Sequence, residues 1–265
     1  MYPFLFEIPG TSLRIPAYGF CLMMSFMVGY LFMQQQFRKR APDQVKTIVG
    51  VFPWIVISSL MGSRLFHVIF ESPTFYLKNP IAIFQSWNGG HVFYGGLIAA
   101  ILASYFYCKL NKISFLWFAD VGICSVALAQ VLARIGCFLA GCCWGKVCQL
   151  PWAVTFTHPE TAAGLKHLPL HPTQLYQAAA NLVTFFICLY FLQRKRFNGE
   201  ILLCYGIVYP IGRFLIEIFR ADHSRGFLIP DILSIPQFIS LFIFTASTIL
   251  LIRGKPLTFL RDRNA

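Results

Sequence analysis

Charge is what this sequence has least of: only 12% of its 265 residues are Asp, Glu, Lys or Arg, and just 10 are acidic. So few charges cannot solvate the surface of a water-soluble globule. With 57% hydrophobic residues and a mean hydropathy of +0.64, the composition is that of a polytopic membrane protein. A basic leader is missing as well. The chain opens MYPFLFEIPG, so no cleavable signal peptide is expected and insertion rests on internal apolar segments. The nine cysteines have no C-x-x-C pair, which argues against a metal site of the zinc-ribbon kind. Several are scattered through apolar segments, unlike a secreted disulfide scaffold. Internal repeats and low-complexity tracts are absent too, so residues 1–265 read as one membrane domain.

Present instead are seven apolar segments able to cross about 30 Å of hydrocarbon. They fall near 16–36, 48–70, 91–108, 118–140, 173–192, 200–220 and 233–252. The expected fold class is therefore an all-α bundle of about seven transmembrane helices. Basic clusters follow every second exit, and 13 of the 22 Lys and Arg residues lie on that side: Arg38, Lys39, Arg40, Lys46, Lys109, Lys112, Arg194–Arg196, Arg253, Lys255, Arg261 and Arg263. The positive-inside rule makes that side cytoplasmic, with a periplasmic amino terminus and a cytoplasmic carboxy terminus. Orientation, rather than nucleic acid, thus accounts for the net charge of +12. The longer loops, around 71–90, 141–172 and 222–232, are then periplasmic. They hold Pro, Gly, aromatic and His residues in place of repetitive polar sequence, so they are expected to be ordered. Phe75–Trp87 reads as an interfacial amphipathic segment.

Against this background four ionisable residues stand out: Arg134 within CSVALAQVLARIGCFLAG, and Arg213, Glu217 and Arg220 within YPIGRFLIEIFRAD. Charges at such depth are costly and normally face a protein interior or a wet cavity. Glu217 lies four residues after Arg213 and three before Arg220, so the three share a helix face. One acid between two guanidinium groups leaves positive charge for an anion, and Arg134 can grip a phosphate in a bidentate manner. A structural salt bridge for the trio, and an interface-seeking Arg134, are the plainer alternatives. Arg64 (MGSRLF) adds a cation and Tyr18 (RIPAYGF) a phenol, either of which could serve as an interface anchor. WNGGHVFYGGLIAA places Tyr94 and Gly95 where a backbone or a headgroup could approach closely, or where helices simply pack. Gly145 belongs to ARIGCFLAGCCWGKVC, where Cys137, Cys142, Cys143 and Cys148 leave a periplasmic disulfide open. LHPTQLYQAA reads as a helix start at Pro172 and Thr173 with His171 just before it, an acid–base candidate or a structural hydrogen-bonder.

Taken in order, RIPAYGF, GSRLF, WNGGHVFYGGLI, ARIGCFLAGCCWG, LHPTQLY, GRFLIEIFRAD and DILSIPQ resemble the prolipoprotein diacylglyceryl transferases of bacterial inner membranes. The resemblance covers most of the chain. It implies transfer of diacylglyceryl from phosphatidylglycerol to the lipobox cysteine thiol of a preprolipoprotein signal peptide, with release of glycerol phosphate. It implies no cofactor, no metal and no nucleic-acid partner, a multi-pass place in the inner membrane, and a monomer. By position, Arg134 matches the family's phospholipid-binding Arg, and Arg213 with Glu217 its later Arg–Glu pair. Tyr18 matches its first-span Tyr, and Gly95 and Gly145 match glycines of its two central motifs. The expected catalytic set is therefore Arg213, Glu217, Tyr94 and Tyr18, and the substrate-binding set Arg134, Arg220, Arg64, Gly95, Gly145 and His171. Two departures mark a divergent member. Tyr94 stands where the family usually has His, and Cys137, Ala140 and Cys142 replace the Asn, Asn and Glu of GNF-x-N-G-E. Those changes keep open a transferase with another acceptor, or a non-catalytic lipid-binding or redox-responsive paralogue.

Overall fold

The computed structural model describes residues 3–7, 14–85, 90–161, 167–221, 226–229 and 233–253. Strands β1 (Phe4–Glu7) and β2 (Arg14–Pro16) form an antiparallel hairpin that leads straight into α1 (Ala17–Arg40). Arg38, Lys39 and Arg40 end α1, where cations suit the negative pole of a helix. A short α2 (Val45–Val49) precedes α3 (Val51–Phe66), which loosens into a π turn over His67–Glu71. Next come α4 (Pro73–Lys78), a 3-10 turn over Pro80–Phe84, α5 (Phe93–Leu110) and α6 (Phe115–Ala140). The loop after α6 carries the two-residue strands β3 (Val154–Thr155) and β4 (Pro169–Leu170). The chain continues as α7 (Thr173–Leu192), α8 (Glu200–Glu217), a hairpin of β5 (Phe227–Ile229) and β6 (Leu233–Ser234), and α9 (Ile235–Ile252).

Among the described residues six helical stretches are long and apolar enough to cross a membrane: Ala17–Arg40, Pro42–Glu71, Phe93–Leu110, Phe115–Ala140, Thr173–Leu192 and Ile235–Ile252. Large apolar side chains such as Trp54, Leu60, Met61 and Phe242 stand exposed along them, as lipid-facing positions should. The seventh expected segment is also a helix, α8, but Glu200, Arg213 and Glu217 put three charges into its 18 residues. It therefore fails the apolarity that the other six meet. The interfacial segment expected at Phe75–Trp87 appears as α4 and the following 3-10 turn, with Trp87 outside the described residues. The WNG of the Tyr94 motif, most of the 222–232 loop, and Lys255, Arg261 and Arg263 also fall outside them.

The chain divides into two compact units, with boundaries inside α1 and α6. The unit drawn from Gln34–Phe118 is held by α3 against α5. A Cβ on Gly95 would lie 2.5 Å from the Gly62 carbonyl, and one on Gly62 would collide with Ala99, so small residues let these backbones nearly touch. Phe37 stacks on Phe118 at 5.9 Å and meets Trp117 at 5.0 Å.

The other unit, from Met1–Met33 and Ala119–Phe259, packs α8 between α7 and α9. Gly206 of α8 has no room for a Cβ beside Ser247 of α9. Asp120 of α6, fully buried, accepts hydrogen bonds from the backbone N–H groups of Gly199, Ile201 and Leu202 at 2.9, 3.0 and 3.2 Å. It thus caps the start of α8 from another helix and satisfies donors that a helix N-terminus leaves open. In the 141–172 loop, Phe156 and Leu170 are completely buried and packed by Trp144 and Val154, giving the loop a small core of its own. Among the described residues of this loop, 141–161 and 167–172, that core supplies the order expected of it.

Candidate active site

In the unit built on α6 to α9, the site starts from a stripe on α8. Tyr205, Tyr209, Arg213 and Glu217 are spaced by four, which stacks them on one helix face. The rings of Tyr205 and Tyr209 lie parallel, 5.0 Å apart, and the Tyr205 hydroxyl donates to Gln130 Oε1 of α6 at 3.0 Å. Pro210, buried within α8, removes one backbone N–H from the helix ladder just before Arg213. Arg213 Nη1 lies 2.5 Å from Glu217 Oε2, both side chains being about nine-tenths buried. The contact is an ion pair without hydrogen-bond alignment: buried Arg213 Nη1 finds no hydrogen-bond acceptor among the described residues. The other Glu217 oxygen accepts the hydroxyl of Ser234 at 3.3 Å. Ser234 is itself the N-cap of α9, in a capping box with Gln237, so Glu217 fastens the end of α8 to the start of α9.

Arg134 lies half-buried on α6, in the electrostatic field of Cys137, Tyr209, Cys143 and Cys142. Tyr18, at the start of α1, shares that neighbourhood with Arg134 and the same three cysteines. Gly136 makes the approach of α1 close, since a Cβ there would lie 2.7 Å from Cys21 Cβ. The groups around Arg134 are thus phenols and thiols in place of carboxylates.

The loop that leaves α6 is tightly pinned. Gly141 has φ +73° and Cys143 φ +61°, the second a conformation that side chains other than glycine seldom adopt. Gln174 Nε2 donates to the Cys142 carbonyl at 2.6 Å, and Thr173 Oγ1 to that of Cys143 at 2.8 Å. Both residues open α7 and are 1% exposed. The sulfurs of Cys137, Cys142 and Cys143 consequently converge to within 4.8 Å of one another. Hydrogen bonds from Cys137 and Cys142, helped by Arg220 and Arg134, pull the Cys143 thiol far below the usual range against the effect of burial. The Cys142 thiol is pushed up by its hydrogen bonds to Cys137 and Cys143 and by burial. All nine cysteines are free thiols.

Gly145 lets three backbones meet. Its N–H donates to the His171 carbonyl at 3.1 Å and it bridges Arg220, while an added Cβ would lie 2.6 Å from His171 Cβ and 2.8 Å from the Phe219 carbonyl. His171 packs its ring against Phe219 at 5.1 Å, and its Nδ1 is 3.2 Å from the Tyr176 hydroxyl. Tyr176 accepts the indole N–H of Trp152 at 2.7 Å, so Trp152, Tyr176 and His171 form one hydrogen-bonded chain. The sequence does not single out Tyr209 or Gln130, and it places Gln174 and Tyr176 only in the first turn of a helix. The i, i+4 stripe through Arg213 carried the signal for Tyr209.

Of the residues expected at the site, Tyr18, Arg134, Gly145, His171, Arg213, Glu217 and Arg220 all belong to this unit. Arg64, Tyr94 and Gly95 belong to the other. Arg64 is 7% exposed and donates to the carbonyls of Ile83, Gly90, Ala82 and Gln85 at 3.0, 3.2, 2.6 and 3.3 Å, with its guanidinium 5.2 Å from the Tyr76 ring centroid. Its geometry is that of a loop clasp. Gly95 is occupied by the α3–α5 crossing, and Tyr94 is 46% exposed beside Phe93.

Residues 3–253 match the family model described as prolipoprotein diacylglyceryl transferase. The chain belongs to the prolipoprotein diacylglyceryl transferase family. It is similar to the phosphatidylglycerol–prolipoprotein diacylglyceryl transferase of Clostridium tetani, with 35% identity over 246 residues, 91% of this chain and 93% of the relative. The like-named protein of Finegoldia magna is 33% identical over 90% of each chain, and that of Wolbachia pipientis 34% identical over 89% of this chain and 90% of its own. For this family member the match runs through both compact units and through every element from β1 to α9.

Proposed function

We propose that this protein transfers the diacylglyceryl group of phosphatidylglycerol to the lipobox cysteine of preprolipoproteins. The thiol sulfur displaces phosphate at the glyceryl carbon: a C–S bond forms, a C–O bond breaks, the thiol proton is lost, and glycerol phosphate departs. The observation that carries this reading is Arg134, half-buried among phenols and thiols, on the same unit as Arg213, Glu217 and Arg220. Those four residues carry three positive charges and one negative, and the depressed Cys143 thiol offsets at most one more, so net positive charge remains. The lipid's phosphodiester carries one negative charge, whereas a phosphate monoester carries roughly −1.5 to −2. Cations at this place therefore stabilise the departing group more than the bound lipid, which is what accelerates a displacement.

In this reading Arg134 holds the phosphate, with Arg220 beside it. Arg213 is held in place by Glu217, and His171 offers a ring nitrogen to the headgroup. Tyr18 supplies a phenol at the entrance of α1, and Gly145 keeps His171 and Arg220 in register. Tyr94, in place of the family's usual His, acts as a hydrogen-bond donor or accepts the thiol proton. Arg64 and Gly95 serve the lipid site through the loop and helix crossing they maintain. The six apolar stretches support a multi-pass protein; we place it in the bacterial inner membrane, amino terminus outside and α8 as the seventh crossing. We read the chain as a monomer acting as one transferase domain.

The test is transfer by the purified protein in detergent, with phosphatidylglycerol and a lipobox peptide, read by peptide mass and glycerol phosphate release. A diacylglyceryl adduct is expected from the native chain. Arg134→Ala should lose it by about 100-fold or more, as removal of a transition-state charge partner does. Folded native protein that yields neither adduct nor glycerol phosphate overturns the reading.

A further inference from the structure

The three sulfurs of Cys137, Cys142 and Cys143 have no part in the displacement chemistry, yet the fold works to bring them together. The first two are five positions apart, across the end of α6, and the last two are neighbours whose side chains would ordinarily diverge. The left-handed φ of Cys143 turns its side chain back, and the Cys142 N–H closes the turn on the Cys137 carbonyl at 3.1 Å. Gln174 and Thr173 then lock the two following carbonyls. A strained residue held by buried hydrogen bonds is a common mark of a site under functional constraint.

We propose that Cys137, Cys142 and Cys143 form a three-thiolate site for a thiophilic cation such as zinc or copper(I). With metal–sulfur bonds of about 2.3 Å, sulfurs around one ion sit about 3.8 to 4.0 Å apart. The observed spacing within 4.8 Å needs only a small closure. Thiolates select such soft ions over magnesium or calcium. Binding replaces up to three S–H protons with three metal–sulfur bonds, and with a divalent ion leaves a cluster of net charge −1. Arg134 and Arg220, both in the field of Cys143, offset that charge. A disulfide would use two of the three sulfurs and require an oxidant, whereas a cation uses all three. The site does not depend on the proposed lipid transfer.

The test uses the whole chain in detergent, free of any affinity tag, reduced and then moved to buffer without thiol. Zinc is added, unbound metal removed, and bound metal counted. Iodoacetamide labelling is then followed residue by residue with mass spectrometry, with Cys148 as the internal control. About one zinc per chain is expected, with labelling of Cys137, Cys142 and Cys143 slowed at least tenfold and that of Cys148 unchanged. Cobalt in place of zinc should give sulfur-to-metal charge-transfer absorption, lost in the Cys137→Ser/Cys142→Ser/Cys143→Ser protein. Equal labelling with and without zinc, which needs no variant to fold, overturns the proposal. So does a cross-link among the three sulfurs that forms in reduced protein in preference to zinc uptake.

Discussion

Lys195 Nζ lies 3.1 Å from Asp120 Oδ2, and the carboxylate it meets is completely shielded from solvent. The same carboxylate also closes the first turn of α8, the helix that bears Arg213 and Glu217. Asp120→Ala therefore removes one side of a buried pair and three backbone partners at once. A loss of about 3–5 kcal/mol is expected, read as a sharp fall in thermal stability in detergent. Lys195→Ala, which leaves the three backbone bonds in place, should cost clearly less.

Glu217→Gln separates structure from charge. The amide oxygen can still accept the Ser234 hydroxyl, but the negative partner of Arg213 is gone. Transfer is expected to fall at least tenfold while the protein remains folded. Adding Arg213→Gln should recover stability without recovering transfer, as measured by melting and adduct formation in parallel.

Tyr176→Phe deprives His171 Nδ1 and the Trp152 indole of the hydroxyl that links them. Both rings are then free to turn, and transfer is expected to fall at least tenfold in protein that melts close to the native temperature. Adduct formation measured beside thermal melting checks this, and native transfer by the variant would remove the Trp152–Tyr176–His171 chain from the site.

Gly95→Ala probes the α3–α5 crossing. The new methyl group meets the Gly62 carbonyl at 2.5 Å and Phe66 Cβ at 2.5 Å, so the helices must separate. Stability should drop by about 1–3 kcal/mol. Gly95→Ala with unchanged melting and lost transfer would instead mark Gly95 as a lipid contact.

Zinc added to the transfer reaction should inhibit reversibly, with a chelator restoring the rate, because an anionic cluster beside Arg134 competes with phosphate. The Cys137→Ser/Cys142→Ser/Cys143→Ser protein should be indifferent to zinc. Inhibition of equal strength in that variant would place the effect elsewhere.

Helices were readable because long apolar runs between basic clusters allow little else. The expected segments at 91–108, 173–192 and 233–252 coincide with α5, α7 and α9 to within two residues at each end. The three small hairpins were not readable, since strands of two to four residues leave no periodic signal. Helical spacing predicts the pairing of Arg213 with Glu217, but α8 ends at Glu217, so Arg220 lies past it in a bridge to Gly145 and the expected three-residue helix face stops at two. The clasp around Arg64 was not readable, because its acceptors are backbone carbonyls 18 to 26 residues away, invisible in side-chain identities. The convergence of Cys137, Cys142 and Cys143 escaped for a related reason. It depends on a backbone reversal at Cys143, at a residue type that gives no hint of one.

Helix α8 keeps its charge away from its surroundings. Arg213 and Glu217, within its last five residues, neutralise each other while about nine-tenths buried. Its first turn is held by Asp120 of α6, and Gly206 gives way to Ser247 of α9. Detached from those companions, α8 would bare an ion pair and open backbone donors at once. The consequence is cooperativity: α8 has no way to loosen alone, so α6, α8 and α9 are expected to come apart in a single step.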